Sequence, residues 1–183
     1  MTGDMLLEVV KGAAVDCLTN RGHWPPTVLG LGDEHLAVIA LPPWGDDTEA
    51  AVKVVGLALA RAVGGPHVVF TAAAMTSKGP PGVDLDSLPH PRNNPWHGEA
   101  LVVMEAIGGH VRSHQAGFVR VDDEIVIEPW RQMTGAVGPT YETLASLSST
   151  VDELDDDGMK VLLAEAVRLG FGKIRVWDLR EDR

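Results

Sequence analysis

Residues 99–130, EALVVMEAIGGHVRSHQAGFVRVDDEIVIEPW, decide the fold, because they read as three consecutive β-strands joined by two tight turns. Gly108 and Gly109 separate the first two strands, and a Gly-Gly pair accepts the positive φ that two-residue hairpin turns demand. The register follows: Ile107 faces His110, Ala106 faces Val111, and Glu105 faces Arg112 as an opposite-charge cross-strand pair. The second turn surrounds Asp122, Asp123 and Glu124. A two-residue loop there would set Arg120 opposite Ile125. A three-residue loop instead aligns Val121 with Ile125 and Val119 with Ile127, giving one apolar face shared with Val102, Met104 and Val111, and is the expected register.

The opposite face then carries Leu101, Val103, Arg112, His114, Phe118 and Arg120 with Glu99, Glu105 and Glu128, a mixture of apolar side chains and both signs of charge. Antiparallel sheets commonly leave one face wet, so this face reads as solvated. The sharper alternative is a binding surface in which Leu101, Val103 and Phe118 form an apolar patch rimmed by Arg112, His114 and Arg120.

Working outward, residues 4–21 have helical spacing, with Met5, Val9, Ala13 and Cys17 in one stripe widened by Leu6, Val10 and Leu18, and Gly22 as the stop. TVLGL and HLAVIAL, parted by Gly32, Asp33 and Glu34, suit a hairpin. Asp46 and Glu49 resemble a capping box for a helix running to the Gly64-Gly65 stop, and HVVFTAAAM reads as a strand buried on both faces. Residues 35–41, 47–63 and 67–74 therefore suggest a parallel β-α-β crossover. The Pro- and Gly-rich loop from Thr76 to Trp96 is long for a compact domain, which suggests a functional or mobile segment and makes it the place to look for a site. Residues 131–150 read as an irregular connector with one short helix from Tyr141. Asp155, Asp156 and Asp157 cap a last helix, and KIRVWD is a final strand.

The expected architecture is a single α+β domain over 1–183: a mixed, largely antiparallel sheet of about six or seven strands with a β-α-β-like segment and helices mainly on one face. The helix over 47–63 and the N-terminal helix would together bury the face carrying Val102, Met104, Val111, Val119, Val121, Ile125 and Ile127.

A net charge of −11 opposes binding to a phosphate backbone, so nucleic acid is not an expected partner. One cysteine, Cys17, excludes an intramolecular disulfide and a cysteine-built zinc site. No run reaches the roughly 18 apolar residues of a membrane span, and the N-terminus lacks a signal-peptide pattern; no membrane contact and a cytoplasmic location are expected.

His90, His97 and Glu99 form the strongest catalytic constellation, since two imidazoles and a carboxylate can hold a divalent metal such as Zn, with His114, Asp84 and Asp86 near enough in sequence to join. Their spacing matches no established zinc signature, and the half-motif that would make His97-Gly98-Glu99 resemble a deaminase is missing. No serine nucleophile elbow or phosphate-binding glycine fingerprint is present. Trp24, Trp44 and Trp96 lie in or beside proline-containing loops, where they either wedge against the core or offer an aromatic contact surface.

HLAVIALP, the helix from Asp47 to Val63, HVVFTAAAM and HGEALVVMEA occur in an order that resembles a loose group of uncharacterised bacterial and phage α+β proteins, over about residues 35–130. Members of that group tend to end the second strand in Glu-Ala-Trp, where this chain has Ala73, Ala74 and Met75. The resemblance implies topology and carries no activity. The functional expectation is a non-catalytic binding or assembly protein without a cofactor, self-associating or binding another protein, in an accessory or phage structural role. The alternative is a metal-dependent hydrolase using His90, His97 and Glu99. A small-molecule carrier is a third class.

Overall fold

The computed structural model describes residues 1–77, 97–122, 124–133, 139–149 and 154–180. In chain order they form α1 (Gly3–Arg21), β1 (Thr27–Leu31), β2 (His35–Ala40), α2 (Glu49–Gly64), β3 (His67–Ser77), β4 (His97–Ile107), β5 (His110–Val121), β6 (Glu124–Ile127), β7 (Arg131–Met133), α3 (Pro139–Ser149), α4 (Asp156–Arg168) and β8 (Arg175–Asp178). The strands make one α+β sheet in the order β6-β5-β4-β3-β1-β2-β8, with β7 beside β5.

Every pairing among the described strands is antiparallel, so the sheet is not mixed at any adjacent pair. The crossover is nonetheless real in direction. β2 and β3 each run antiparallel to β1, hence parallel to one another, and α2 carries the chain from one to the other across the intervening β1. Gly30 of β1 is what lets α2 lie so close: a Cβ there would collide with the Ala60 carbonyl, and one at Gly64 would collide with the Gly30 carbonyl.

The β4–β5 hairpin has the expected register, with Ile107 opposite His110 and Glu105 opposite Arg112, and Gly108 and Gly109 adopt φ of 56° and 81°. The second turn departs from expectation. Val121 pairs with Glu124, Arg120 with Ile125, Val119 with Val126 and Phe118 with Ile127, the two-residue register. Asp122 enters the left-handed region at φ 52°, which aspartate tolerates better than most residues, so a tight turn forms without glycine. The local chemistry of the turn overrides the parity that would gather every apolar side chain on one face. Val119 and Val121 are left more than half exposed, while Ile125 and Ile127 join Phe118 on the other side.

Helices cover both faces of the sheet. α2, α3 and α4 bury Val28, Ile39, Val68, Phe70 and Ala106 on one side. On the other, Leu6, Leu7 and Val10 of α1 pack on Leu29, Leu31, Val69 and Val103, and Ala14 and Leu18 pack on Leu101, Ala116 and Phe118. The expected union of α1 with α2 on one face is therefore wrong. The buried stripe of α1 is also rotated from its expected position, since Met5 and Val9 are largely exposed. The connector of residues 131–150 contains β7 and α3.

Candidate binding groove and buried carboxylate beneath α1

The apolar members of the expected binding surface, Leu101, Val103 and Phe118, are buried under α1 and present no exposed patch. Their polar neighbours serve the same docking. Arg120 reaches Glu99 at 3.3 Å and donates to the carbonyl of Gly22 at the C-terminal end of α1. Arg112 reaches Asp4 in its first turn at 3.3 Å. The face read as wet is instead the seat of a helix.

Of the expected metal ligands, His90 lies outside the described residues, as do Asp84, Asp86 and all of the long loop beyond Ser77. His97 and Glu99 sit on one face at the start of β4, where Glu99 is held by Arg120. Among the described residues no three His, Cys, Asp or Glu side chains are placed to hold a metal ion.

A constellation that sequence reading did not assemble lies at the centre of this face. Glu105 on β4 is 1% exposed, and its Oε2 is 3.2 Å from His67 Nε2 on β3. Its Oε1 is 2.8 Å from Arg112 Nε and 3.8 Å from His114 Nε2, both on β5. Arg112 lies off the direction a hydrogen bond needs, so Glu105 Oε1 and His114 Nε2 are both buried without a hydrogen-bond partner, and the arginine contact is charge attraction. Lys11, on the buried side of α1, is neutralised by Glu8 at 3.0 Å and stands over the Trp130 ring.

Burial alone would raise the Glu105 pKa, but the His67 hydrogen bond and the Arg112 charge outweigh it and leave the group below its ordinary range. His114 is lowered by burial and by Lys11, against a smaller opposing pull from Glu105. Glu105 is thus a carboxylate near neutral pH and His114 a neutral imidazole. Glu105 lies 1% exposed under α1 and is flanked by Arg112, so the chemistry the cluster supplies is that of a charged anchor for α1.

The open part of the face lies on the other flank of α1. From β6 to β8 the sheet spans six interstrand gaps, roughly 29 Å at about 4.8 Å each, whereas one helix with its side chains covers about 10 Å. α1 packs on β1, β3, β4 and β6, and among the described residues no helix is centred over β2 and β8 on this side. A partly open groove of about 320 Å³ results. Its floor is Thr27 and Leu29 of β1, Leu36 and Val38 of β2 and Trp177 of β8, and its wall is Leu6, Val9, Val10 and Ala13 of α1, with Met1, Trp24 and Leu179 completing it. Trp24 is pinned there by donating from Nε1 to Thr71 Oγ1 at 3.0 Å. Val9 and Trp177 remain 58% and 45% exposed. The volume lies at the lower end of small-ligand sites; the Thr27 hydroxyl in the lining donates to the Pro25 carbonyl at 3.0 Å, and among the described lining residues there is no carboxylate or imidazole side chain.

The groove was legible only in fragments. The helical spacing assigns Val9 and Ala13 to the buried stripe of α1, and nothing in KIRVWD shows that its tryptophan will share a face with Leu36. No described helix is long and apolar enough to cross a membrane. No protein-family model, curated protein or solved structure matches the chain.

Proposed function

We propose that this is a non-catalytic binding protein whose recognition site is the groove between α1 and the β1-β2-β8 wing of the sheet. The observation that carries this is the lining: a concave site of about 320 Å³ built from aliphatic side chains and two tryptophans, with Thr27 the one hydroxyl side chain among the described lining residues. Such a site recognises by burying apolar surface, at about 25 cal/mol for each Å² removed from water. The titratable cluster, where chemistry would otherwise be sought, faces the sheet beneath α1 and not the groove.

The test is titration with N-phenyl-1-naphthylamine, an uncharged apolar fluorophore, following its emission and the quenching of Trp24 and Trp177. Saturable micromolar binding that Trp177→Ala weakens supports the assignment. Non-saturating uptake, or binding indifferent to Trp177→Ala, overturns it.

Protein assembly is a second reading, favoured by one observation. The cross-strand pair Val119 and Val126 is exposed beside β6, a four-residue strand at the sheet edge. An accessory or phage structural role through self-association would use that edge. Light-scattering molar mass across dilution, with Val126→Lys as the disrupting variant, tests it; a monomer at all concentrations rejects it.

A further inference from the structure

We infer that the occupant of the groove is an unbranched amphiphile with one anionic head, its alkyl body against Leu36, Val38 and Trp177 and its head at Arg175. This rests on the groove being the binding site and adds the chemistry of what it takes. Arg175 pairs with Val38 across β2 and β8, so the two side chains share a face, and Trp177 is two residues further along the same side of β8. Arg175 is therefore at the outer rim of the groove, on the strand that closes the sheet.

Its charge is available. Lys11, Lys53, Arg112, Arg120 and Arg180 are each held by a carboxylate. Arg175 is exposed and has no ion pair among the described residues, and the same holds for Lys173 two residues earlier. In a chain with a net charge of −11, an unneutralised guanidinium on the strand that flanks an apolar groove is a local reversal of sign. The nearest strand carboxylate, Asp178, lies one residue past Trp177 on the other face and is bound to Arg180 at 2.6 Å. A guanidinium at the rim favours a carboxylate, which it can bind through two parallel N–H donors. The groove is partly open, and its limited volume favours a short chain over a bulky ring system.

Isothermal titration of the intact chain with sodium decanoate, decanol and decyltrimethylammonium, each below its micellar concentration, reads out both claims. The expected order of affinity is decanoate, then decanol, then the cation. Arg175→Gln should weaken decanoate about three- to tenfold and leave decanol unchanged, the range for a charge-assisted contact at a partly exposed site. Equal binding of decanoate and decanol, or an Arg175→Gln variant that binds decanoate normally, overturns the anionic head while the groove stands. Failure of all three to bind overturns the groove as well. Val38→Asp should abolish binding of decanoate and decanol; if that variant is unfolded by circular dichroism, Trp177→Ala, at a half-exposed position, replaces it.

Discussion

Replacing Glu105 by glutamine keeps the shape of the side chain and deletes its charge at the point where α1 is fastened to the sheet. The carboxylate accepts from His67 at 3.2 Å and faces Arg112 at 2.8 Å while itself 1% exposed. A hydrogen bond to a charged group contributes about 1.5–3 kcal/mol net. The Coulomb attraction to Arg112 is about 4 kcal/mol before solvation for charge centres about 4 Å apart at an effective dielectric of about 20, but the arginine side chain is 49% exposed and keeps much of its hydration. Glutamine still accepts from His67 and escapes the cost of burying a charge. The net expectation is a loss of about 2 kcal/mol, or roughly 1 M in the urea midpoint for a slope near 2 kcal/mol/M. The pH profile makes the test specific. His114 and Glu105 both have folded pKa values below their ordinary 6.5 and 4.5, so the native state binds fewer protons and stability falls as pH drops through each value. Glu105→Gln removes the loss below pH 4.5. It also removes an anion that raises the His114 pKa, so the loss just below pH 6.5 steepens. Urea melts at several pH values, followed by tryptophan fluorescence, separate the two windows. A variant as stable as the parent with an unaltered profile would refute the role of this carboxylate as the anchor of α1.

Two further outcomes check the sheet itself. Leu101→Ala should cost about 2–5 kcal/mol, because the side chain is fully buried under α1, whereas Val119→Thr should stay within about 0.5 kcal/mol at its exposed position; the opposite ranking in thermal melts would restore the three-residue turn. Gly30→Ala should lower stability by about 3 kcal/mol or more, since the added methyl meets backbone of α2 that cannot rotate away, and a calorimetric transition at the parent temperature would contradict that packing.

What was legible in the chain is what backbone chemistry dictates locally. Gly108-Gly109 announces its turn, Gly22 stops α1 at φ 73°, and Asp155 caps α4 by accepting from the Gly158 amide at 2.7 Å. The run HVVFTAAAM signals a strand covered on both sides, and it was the better guide to layer order: a strand buried on both faces at Val68, Val69, Phe70 and Thr71 requires a helix on each. Placing α1 and α2 together ignored that requirement. The misjudged turn had a local cause as well, since the left-handed tolerance of Asp122 was outweighed by a count of apolar side chains. The buried cluster escaped because His67 and Glu105 are 38 residues apart, and their strands become neighbours only through the full sheet order. Glu105 and Arg112 were paired correctly, but opposite charges on facing strands say nothing of depth.

The groove and the anchor share one element, and that sharing has a thermodynamic consequence. Leu6, Val9, Val10 and Ala13 wall the groove, while Asp4 and Glu8 meet the polar cluster on the other flank of the same helix. A ligand seated between α1 and the β2-β8 wing binds only when α1 is docked. Its binding must then add to the docking free energy, by about 2.7 kcal/mol at a hundredfold excess over Kd. Conversely, a variant that leaves α1 undocked for a fraction of the time reduces the apparent affinity by that fraction, although it touches no groove residue. Glu105→Gln should therefore weaken decanoate and decanol equally, unlike Arg175→Gln, and saturating decanol should slow hydrogen exchange of the α1 amides in both the parent and the variant. Unchanged α1 exchange on ligand binding would mean that the helix is not a wall of the site, however well the ligand binds.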